Sequence, residues 1–193
     1  FTEFWCSDDT DPYERIYIQW SLSKFFPAKT MGSHVTNWNR RASVKFRTDV
    51  CSSCKLGFDI DLKSLSQDEY KFVQSAVKNY NDMKPVILEG DQYRLISPYE
   101  SDHCALNYVS KDRQRAVLFV YDLHPRYKEP LRNVKLQGLD ARKVYTVRET
   151  NLMPGAKSWL ECDGKQYSGD YLMEVGLNVL TANEGSSRVL VLE

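Results

Sequence analysis

Phe4-Trp5-Cys6-Ser7-Asp8-Asp9-Thr10-Asp11-Pro12-Tyr13-Glu14 reads as an apolar strand running through a polar loop into a capped helix. Asp11 can accept the first free N–H groups, Pro12 fills the first helical position without losing a needed donor, and Glu14 reaches back. The loop therefore lies at the carboxyl end of a βα unit. Ile16, Ile18, Trp20, Leu22, Phe25 and Phe26 make the helix apolar around much of its circumference, as in a helix wedged between neighbours. It is expected to end near Pro27. Ala28 to Val35 then reads as a short strand in which Gly32 permits close backbone approach, followed by polar Thr36-Asn37-Trp38-Asn39 and a helical stretch from about Arg41 to Cys54. Ser66-Gln67-Asp68-Glu69 is a capping box, and Phe72, Val73, Ala76, Val77 and Tyr80 follow at helical spacing. Strand, helix, strand, helix, helix is a βα repeat, and its parallel strands need neighbours on both sides. Two such units cannot close a core alone.

The character of the chain changes near residue 85. Short β-branched and aromatic runs follow, near Tyr93–Ile96, Cys104–Val109, Ala116–His124, Val134–Gln137, Val144–Glu149, Tyr171–Val175 and Arg188–Leu192. Gly138-Leu139-Asp140 and Glu184-Gly185-Ser186 are the clearest turns between them. Such spacing fits an antiparallel sandwich. The expected architecture is thus α/β plus all-β: βα units in residues 1–84, followed by a C-terminal antiparallel β-sandwich domain in residues 85–193.

Composition narrows the function. The 193 residues include 26 basic and 26 acidic side chains, 42% hydrophobic and 12% aromatic residues, as in a folded globular protein. Zero net charge argues against a nucleic-acid partner, whose affinity rests on clustered Lys and Arg. No apolar run approaches the roughly 18 residues needed to cross a bilayer, so no membrane partner is expected. The opening Phe1-Thr2-Glu3-Phe4-Trp5 has no signal-like core and starts inside an apolar strand, which points to a piece of a longer chain. Five cysteines, Cys6, Cys51, Cys54, Cys104 and Cys162, are an odd number without the density of a disulfide framework. A reducing, cytoplasmic setting is expected. Cys51 and Cys54 have the spacing of half a zinc site, but His34, His103, His124 and the other cysteines supply no second half; the pair is read as helix packing, with neither metal nor cofactor.

Chemistry concentrates in the first loop, where three carboxylates sit beside two aromatic rings. Active sites of βα barrels are built from such loops. Asp11 is assigned to the cap. Asp8 has no cap role, and Trp5 could form an apolar wall that raises its pKa, as a general acid at neutral pH requires.

Ser7-Asp8-Asp9-Thr10-Asp11, Glu14-Arg15, Met31-Gly32-Ser33-His34-Val35, Gly57-Phe58-Asp59-Ile60-Asp61-Leu62, Tyr93-Arg94-Leu95, Leu136-Gln137-Gly138-Leu139-Asp140 and Ser168-Gly169-Asp170-Tyr171-Leu172-Met173, taken in order, resemble the end of an α-galactosidase of glycoside hydrolase family 36. In that family the first Asp of a Ser-Asp-x-Thr-Asp motif is the catalytic acid/base, which falls on Asp8. Where a common form of the motif carries Asn, this chain has Asp9, a variant that is either tolerated or pushes Asp8 upward by like-charge repulsion. The family's nucleophile lies in a Lys-Trp-Asp motif on an earlier barrel strand, and a Cys- and Gly-rich substrate loop follows it. Neither is present; Trp20 and Trp38 lack that context, so no substitute nucleophile is nominated.

The resemblance implies that residues 1–84 are the last βα units of a (β/α)8 TIM barrel. It also implies a retaining double displacement on α-galactoside oligosaccharides in the parent enzyme, with the remainder of the barrel as partner and a homo-oligomeric parent left open. The piece alone is expected to be inactive. Trp5 is a candidate for sugar stacking or for core packing. Arg15 could orient an acid, with a surface ion pair as its default reading, and His34 is either a pocket residue or a hydrogen-bonded structural histidine. Two rivals stand beside the enzyme reading: a carbohydrate-binding sandwich displaying aromatic rings, and a purely structural piece that completes a barrel. Phe119, Tyr121, Tyr145 and Tyr171 sit in β-patterned runs, where packing is the commoner use of such rings.

Overall fold

A computed structural model describes residues 2–38 and 42–193. Phe1, expected in the first strand, and Arg41, expected to open the second helix, lie outside the described residues.

The first part alternates strand and helix: β1 (Phe4–Trp5), α1 (Pro12–Leu22), β2 (Met31–Thr36), α2 (Val44–Ser52), β3 (Lys55–Asp59) and α3 (Gln67–Glu89). The strands form one parallel sheet in the order β1-β2-β3. The sequence reading missed β3 and placed α2 and α3 in succession. Lys55-Leu56-Gly57-Phe58-Asp59 carries only two large apolar side chains, because its alternate positions face away from the helices. A second correction concerns residues 28–30, which form a 3-10 turn ahead of the strand.

Both side-chain caps form, but the expected back-bond from Glu14 does not, because Asp9 takes the Asp11 N–H. The Asp11 carboxylate accepts from the N–H groups of Tyr13 and Glu14, and Ser66 exchanges bonds with Glu69 in a complete capping box. Ser66→Ala should cost about 1 kcal/mol, read as a lowered melting temperature, because it frees one N–H at the start of a long helix. Phe72, Val73, Ala76, Tyr80, Met83, Val86 and Ile87 form the buried stripe of α3. Val77, expected in that stripe, is off it and exposed. The helix runs through Pro85 to Glu89, so the compositional change near residue 85 falls within its last turns.

The remaining strands are β4 (Asp91–Ile96), β5 (His103–Val109), β6 (Ala116–Asp122), β7 (Val144–Thr150), β8 (Gln166–Ser168) and β9 (Ser186–Leu192). They make a six-stranded antiparallel sheet in the order β4-β5-β6-β9-β7-β8. Two expected strands are absent. Residues 134–137 contribute a single bridge, Val134 to Leu177, and residues 171–175 lie in and just after a short helix, α4 (Gly169–Glu174). A brief apolar run does not distinguish helix from strand by periodicity; here Leu172 enters the core while Tyr171 turns outward. The expected turn at Gly138 forms with φ +78°, and the Tyr93 ring fills the space a Cβ would need.

β5 and β6 are buried along their whole length. One face, through Cys104, Leu106, Tyr108, Phe119 and Tyr121, packs on Ile16, Trp20, Phe46, Tyr80 and Met83 of the three long helices. The opposite face, through Ala105, Leu118, Val120 and Leu190, packs on Val134, Leu136, Leu160, Leu172 and Leu177. The sheet is therefore the middle layer, consistent with the antiparallel domain expected at this end of the chain. The sheet covers Ile16 and Trp20. Phe119, Tyr121 and Tyr145 are core residues, which removes them from any sugar-binding face.

Polar ties make this interface specific. The Tyr108 hydroxyl donates to the Ser53 carbonyl at 2.6 Å, and the Tyr121 hydroxyl to that of Asp49 at 3.2 Å. The buried Asp49 carboxylate accepts from Lys45, Asn151 and Ser187, at 2.5, 2.8 and 2.7 Å. Hence the parallel strands are mounted on a rigid support. Among the described residues no helix is long and apolar enough to cross a membrane.

Candidate active site

In β2 the odd-numbered residues Met31, Ser33 and Val35 are buried on the helical side, and Gly32, His34 and Thr36 alternate to the other face. Register places Lys55, Gly57 and Asp59 of β3 beside these three, and Trp5 of β1 beside Gly32. This second face is the one a closed barrel would turn inward. It is arranged in rows. An ion pair of 2.6 Å joins Lys55 to Glu3. Next, the Trp5 and His34 rings approach with centroids 4.3 Å apart, and His34 lies over Gly57 so closely that a Cβ there would meet its Cδ2 at 2.5 Å. Only glycine at 57 leaves room for that ring.

Trp5 is 51% exposed, so it is a surface of the inner face and not core. His34 is half-buried. Its Nδ1 is buried and has no hydrogen-bond partner among the described residues. Burial and, after it, the positive field of Arg15 push its pKa down, outweighing Asp59 and Glu3; at neutral pH the ring is uncharged.

The β1–α1 loop sits above these rows, tied to the end of β2 by Thr36 and Thr10, whose hydroxyls meet at 2.8 Å. Its three carboxylates separate cleanly. Asp11 caps α1. Asp9 accepts the Asp11 N–H at 2.9 Å, and its own N–H donates to the Ser7 hydroxyl at 3.0 Å. Asp8 is exposed, and its carboxylate has no hydrogen-bond partner among the described residues. It alone of the three is not committed to holding the backbone.

Arg15 departs from its default reading. Among the described residues it makes no ion pair; it is 2% exposed and lies beneath the loop. One guanidinium nitrogen donates to the Ser7 carbonyl at 3.2 Å, the other to the Gly32 carbonyl at 3.0 Å, and Nε to the Gln19 side-chain oxygen at 3.3 Å. Gln19 in turn bonds Ser33, Val50 and Ser53. The structure thus brings Trp5 and His34 together on the inner face, while Asp8 stands in the loop after β1, which Asp9 shapes and Arg15 ties to β2. Sequence reading did not place Lys55, Gly57 or Asp59 on this face; the alternation in Lys55-Leu56-Gly57-Phe58-Asp59 was the signal for it.

Cys51 and Cys54 are buried, and burial pushes their thiols up to about 11 and about 12. Zinc requires thiolates. No group of three or more His, Cys, Asp and Glu among the described residues is placed to hold a metal. Elemental analysis of the purified protein should therefore find no stoichiometric zinc.

Comparison with known proteins accounts for the arrangement. Residues 1–90 match the Melibiase family, and residues 103–192 match the Glycosyl hydrolase family 36 C-terminal domain. The chain belongs to glycoside hydrolase family 36. A probable alpha-galactosidase G of Aspergillus terreus is 32% identical to this family 36 chain over 200 residues, covering all of it and 26% of the relative. The crystal structure of the family 36 alpha-galactosidase AgaB from Geobacillus stearothermophilus superposes with a TM-score of 0.86 at 29% identity, over 99% of this chain and 25% of that one. AgaA of the same organism, solved in complex with raffinose and, in a further variant, with stachyose, has a TM-score of 0.84, over 97% of this chain and 25% of that one; identity in the raffinose complex is 28%. The chain thus spans about a quarter of the length of these relatives. It is the end of a (β/α)8 barrel joined to the C-terminal domain of the family.

Proposed function

We propose that this chain carries the acid/base half of a retaining α-galactosidase that removes terminal α-galactosyl residues from oligosaccharides. The uncommitted carboxylate of Asp8 is the observation that carries the reading. Asp9 and Asp11 are fully used in shaping the loop, whereas Asp8 stands at the carboxyl end of β1, where barrel enzymes place their chemistry. Asp8 gives its proton to the departing glycosidic oxygen while a carboxylate from the rest of the barrel bonds the anomeric carbon. Asp8, now ionised, takes a proton from the water that breaks that ester. Trp5 and the uncharged His34 form a pocket wall, apolar and pre-shaped over Gly57. Residues 1–84 complete the barrel and residues 85–193 form the domain that supports it; five free cysteines support a cytoplasmic setting. The complexes of AgaA with raffinose and stachyose support substrates of that class.

Retention is tested on the full-length enzyme by proton NMR of the first-formed sugar. α-Galactose should appear first and equilibrate slowly to the β anomer. Initial β-galactose would rule out double displacement.

A further inference from the structure

We infer that Arg15 is the positioning residue of the acid/base, acting through the Ser7 carbonyl; this rests on the assignment of Asp8 above.

A guanidinium removed from water is costly unless its hydrogen bonds, and normally its charge, are matched. Arg15 is 2% exposed, yet its acceptors are two backbone carbonyls and one amide oxygen, and no carboxylate lies within ion-pair distance among the described residues. An apolar side chain would fill the same space under α1 at less electrostatic cost. What it could not do is join the two carbonyls. One belongs to Ser7, directly before Asp8; the other belongs to Gly32 in β2, beside Trp5 in the sheet. The planar fork thereby sets the distance between the acid loop and the neighbouring strand.

The loop is closed from the other side by local bonds. The Ser7 hydroxyl takes the Asp9 N–H, Asp9 takes the Asp11 N–H, and Asp11 caps the helix that carries Arg15. The peptides on either side of Asp8 are therefore anchored while its own carboxylate is left unbonded. A general acid needs this combination, because any hydrogen bond to the ionised form would compete with the proton it has to hold. Arg15 is too deeply buried to touch a sugar.

The test is the full-length enzyme with Arg15→Lys and Arg15→Met, assayed on raffinose and on an aryl α-galactoside with a good leaving group, with Asp8→Asn alongside. Lys keeps the charge but is a point donor that cannot bridge both carbonyls, and Met removes the tie. Displacing a reacting group by about 1 Å costs about 100-fold, so kcat on raffinose should fall by about 10-fold in the Lys variant and about 100-fold in the Met variant, with KM little changed. On the aryl substrate, which needs little protonation, kcat/KM should fall far less. The ratio of the two kcat/KM values does not depend on how much enzyme is correctly folded. An equal loss on both substrates would make Arg15 a residue of stability only, and a rise confined to KM would make it a sugar contact; either overturns the inference. So would failure of both variants to fold. If Asp8→Asn itself shows no dependence on leaving group, the acid/base assignment falls and this inference falls with it; if Asp8→Asn shows it and the Arg15 variants do not, only the role of Arg15 is refuted.

Discussion

Asp8→Asn in the full-length enzyme should lower kcat/KM for raffinose by about 10²- to 10⁴-fold, the usual contribution of a positioned general acid. Asn keeps the size of the side chain and cannot donate a proton of comparable acidity. An aryl α-galactoside with a good leaving group should keep most of its kcat/KM, because its aryloxide departs with little help. Its kcat should still fall, since the second step has lost the base that activates water, and the galactosyl-enzyme should accumulate. Azide needs no base and should restore turnover, giving galactosyl azide. Asp9→Asn and Asp11→Asn should not reproduce this pattern. Both side chains hold backbone N–H groups, an Asn oxygen can accept the same bonds, and even complete loss of a cap costs only about 1 kcal/mol. Near wild-type activity of Asp8→Asn on both substrates, with abolition in the Asp9 or Asp11 variant, would move the acid/base role elsewhere in the loop.

The largest stability effect should come from Asp122, at the end of β6. Its carboxylate is fully buried, pairs with Arg188, and accepts from His103 Nδ1 at 2.7 Å, Thr181 Oγ1 at 2.5 Å and Ser186 Oγ at 2.7 Å. His103 Nε2 meets Glu129 at 2.6 Å, so both ring nitrogens face carboxylate oxygens and both must donate. The two carboxylates favour the charged ring, and His103 bridges the end of β6 and the loop that follows it. Asp122→Ala strands Arg188 and His103 in the interior, a loss of about 3 to 5 kcal/mol. For a domain of this size that lowers the melting temperature by about 2 to 4 °C per kcal/mol. A variant that melts with the parent would show the network to be replaceable.

The same cluster sets a pH window. The bond to Asp122 raises the His103 pKa above its ordinary 6.5, with burial opposing and Glu129 assisting. A raised folded-state value gives stability that is complete below pH about 6.5 and lost as pH rises through the higher folded value. For Asp122 burial pushes upward, but His103, Arg188, Thr181 and Ser186 together bring the carboxyl below its ordinary 3.8. That contribution is present above about 3.8 and lost as pH falls further. Melting temperature should accordingly decline as pH rises above about 6.5, and His103→Gln should flatten that decline.

How much of this was legible in the sequence depended on the range of the interaction. The caps at Asp11 and Ser66, the turn at Gly138 and the alternation of strands and helices were readable because each rests on bonds between near neighbours in the chain or on the period of one element. With Asp11 used as the cap the loop had two carboxylates to spare, Asp8 and Asp9, and only the structure shows that Asp9 holds the Asp11 N–H. β3 escaped notice because a strand lining a pocket turns polar groups and glycine inward, and Lys55, Gly57 and Asp59 do not look like one side of a core. Residues 171–175 read as a strand because apolarity alone does not say which period a short run adopts. Arg15 was the deepest gap. Its acceptors lie 8 and 17 residues away, on backbone carbonyls whose directions are set by the end of β1 and by the register of β2. Side-chain chemistry singled out the loop, but only the packed sheet could aim the carbonyls that hold it.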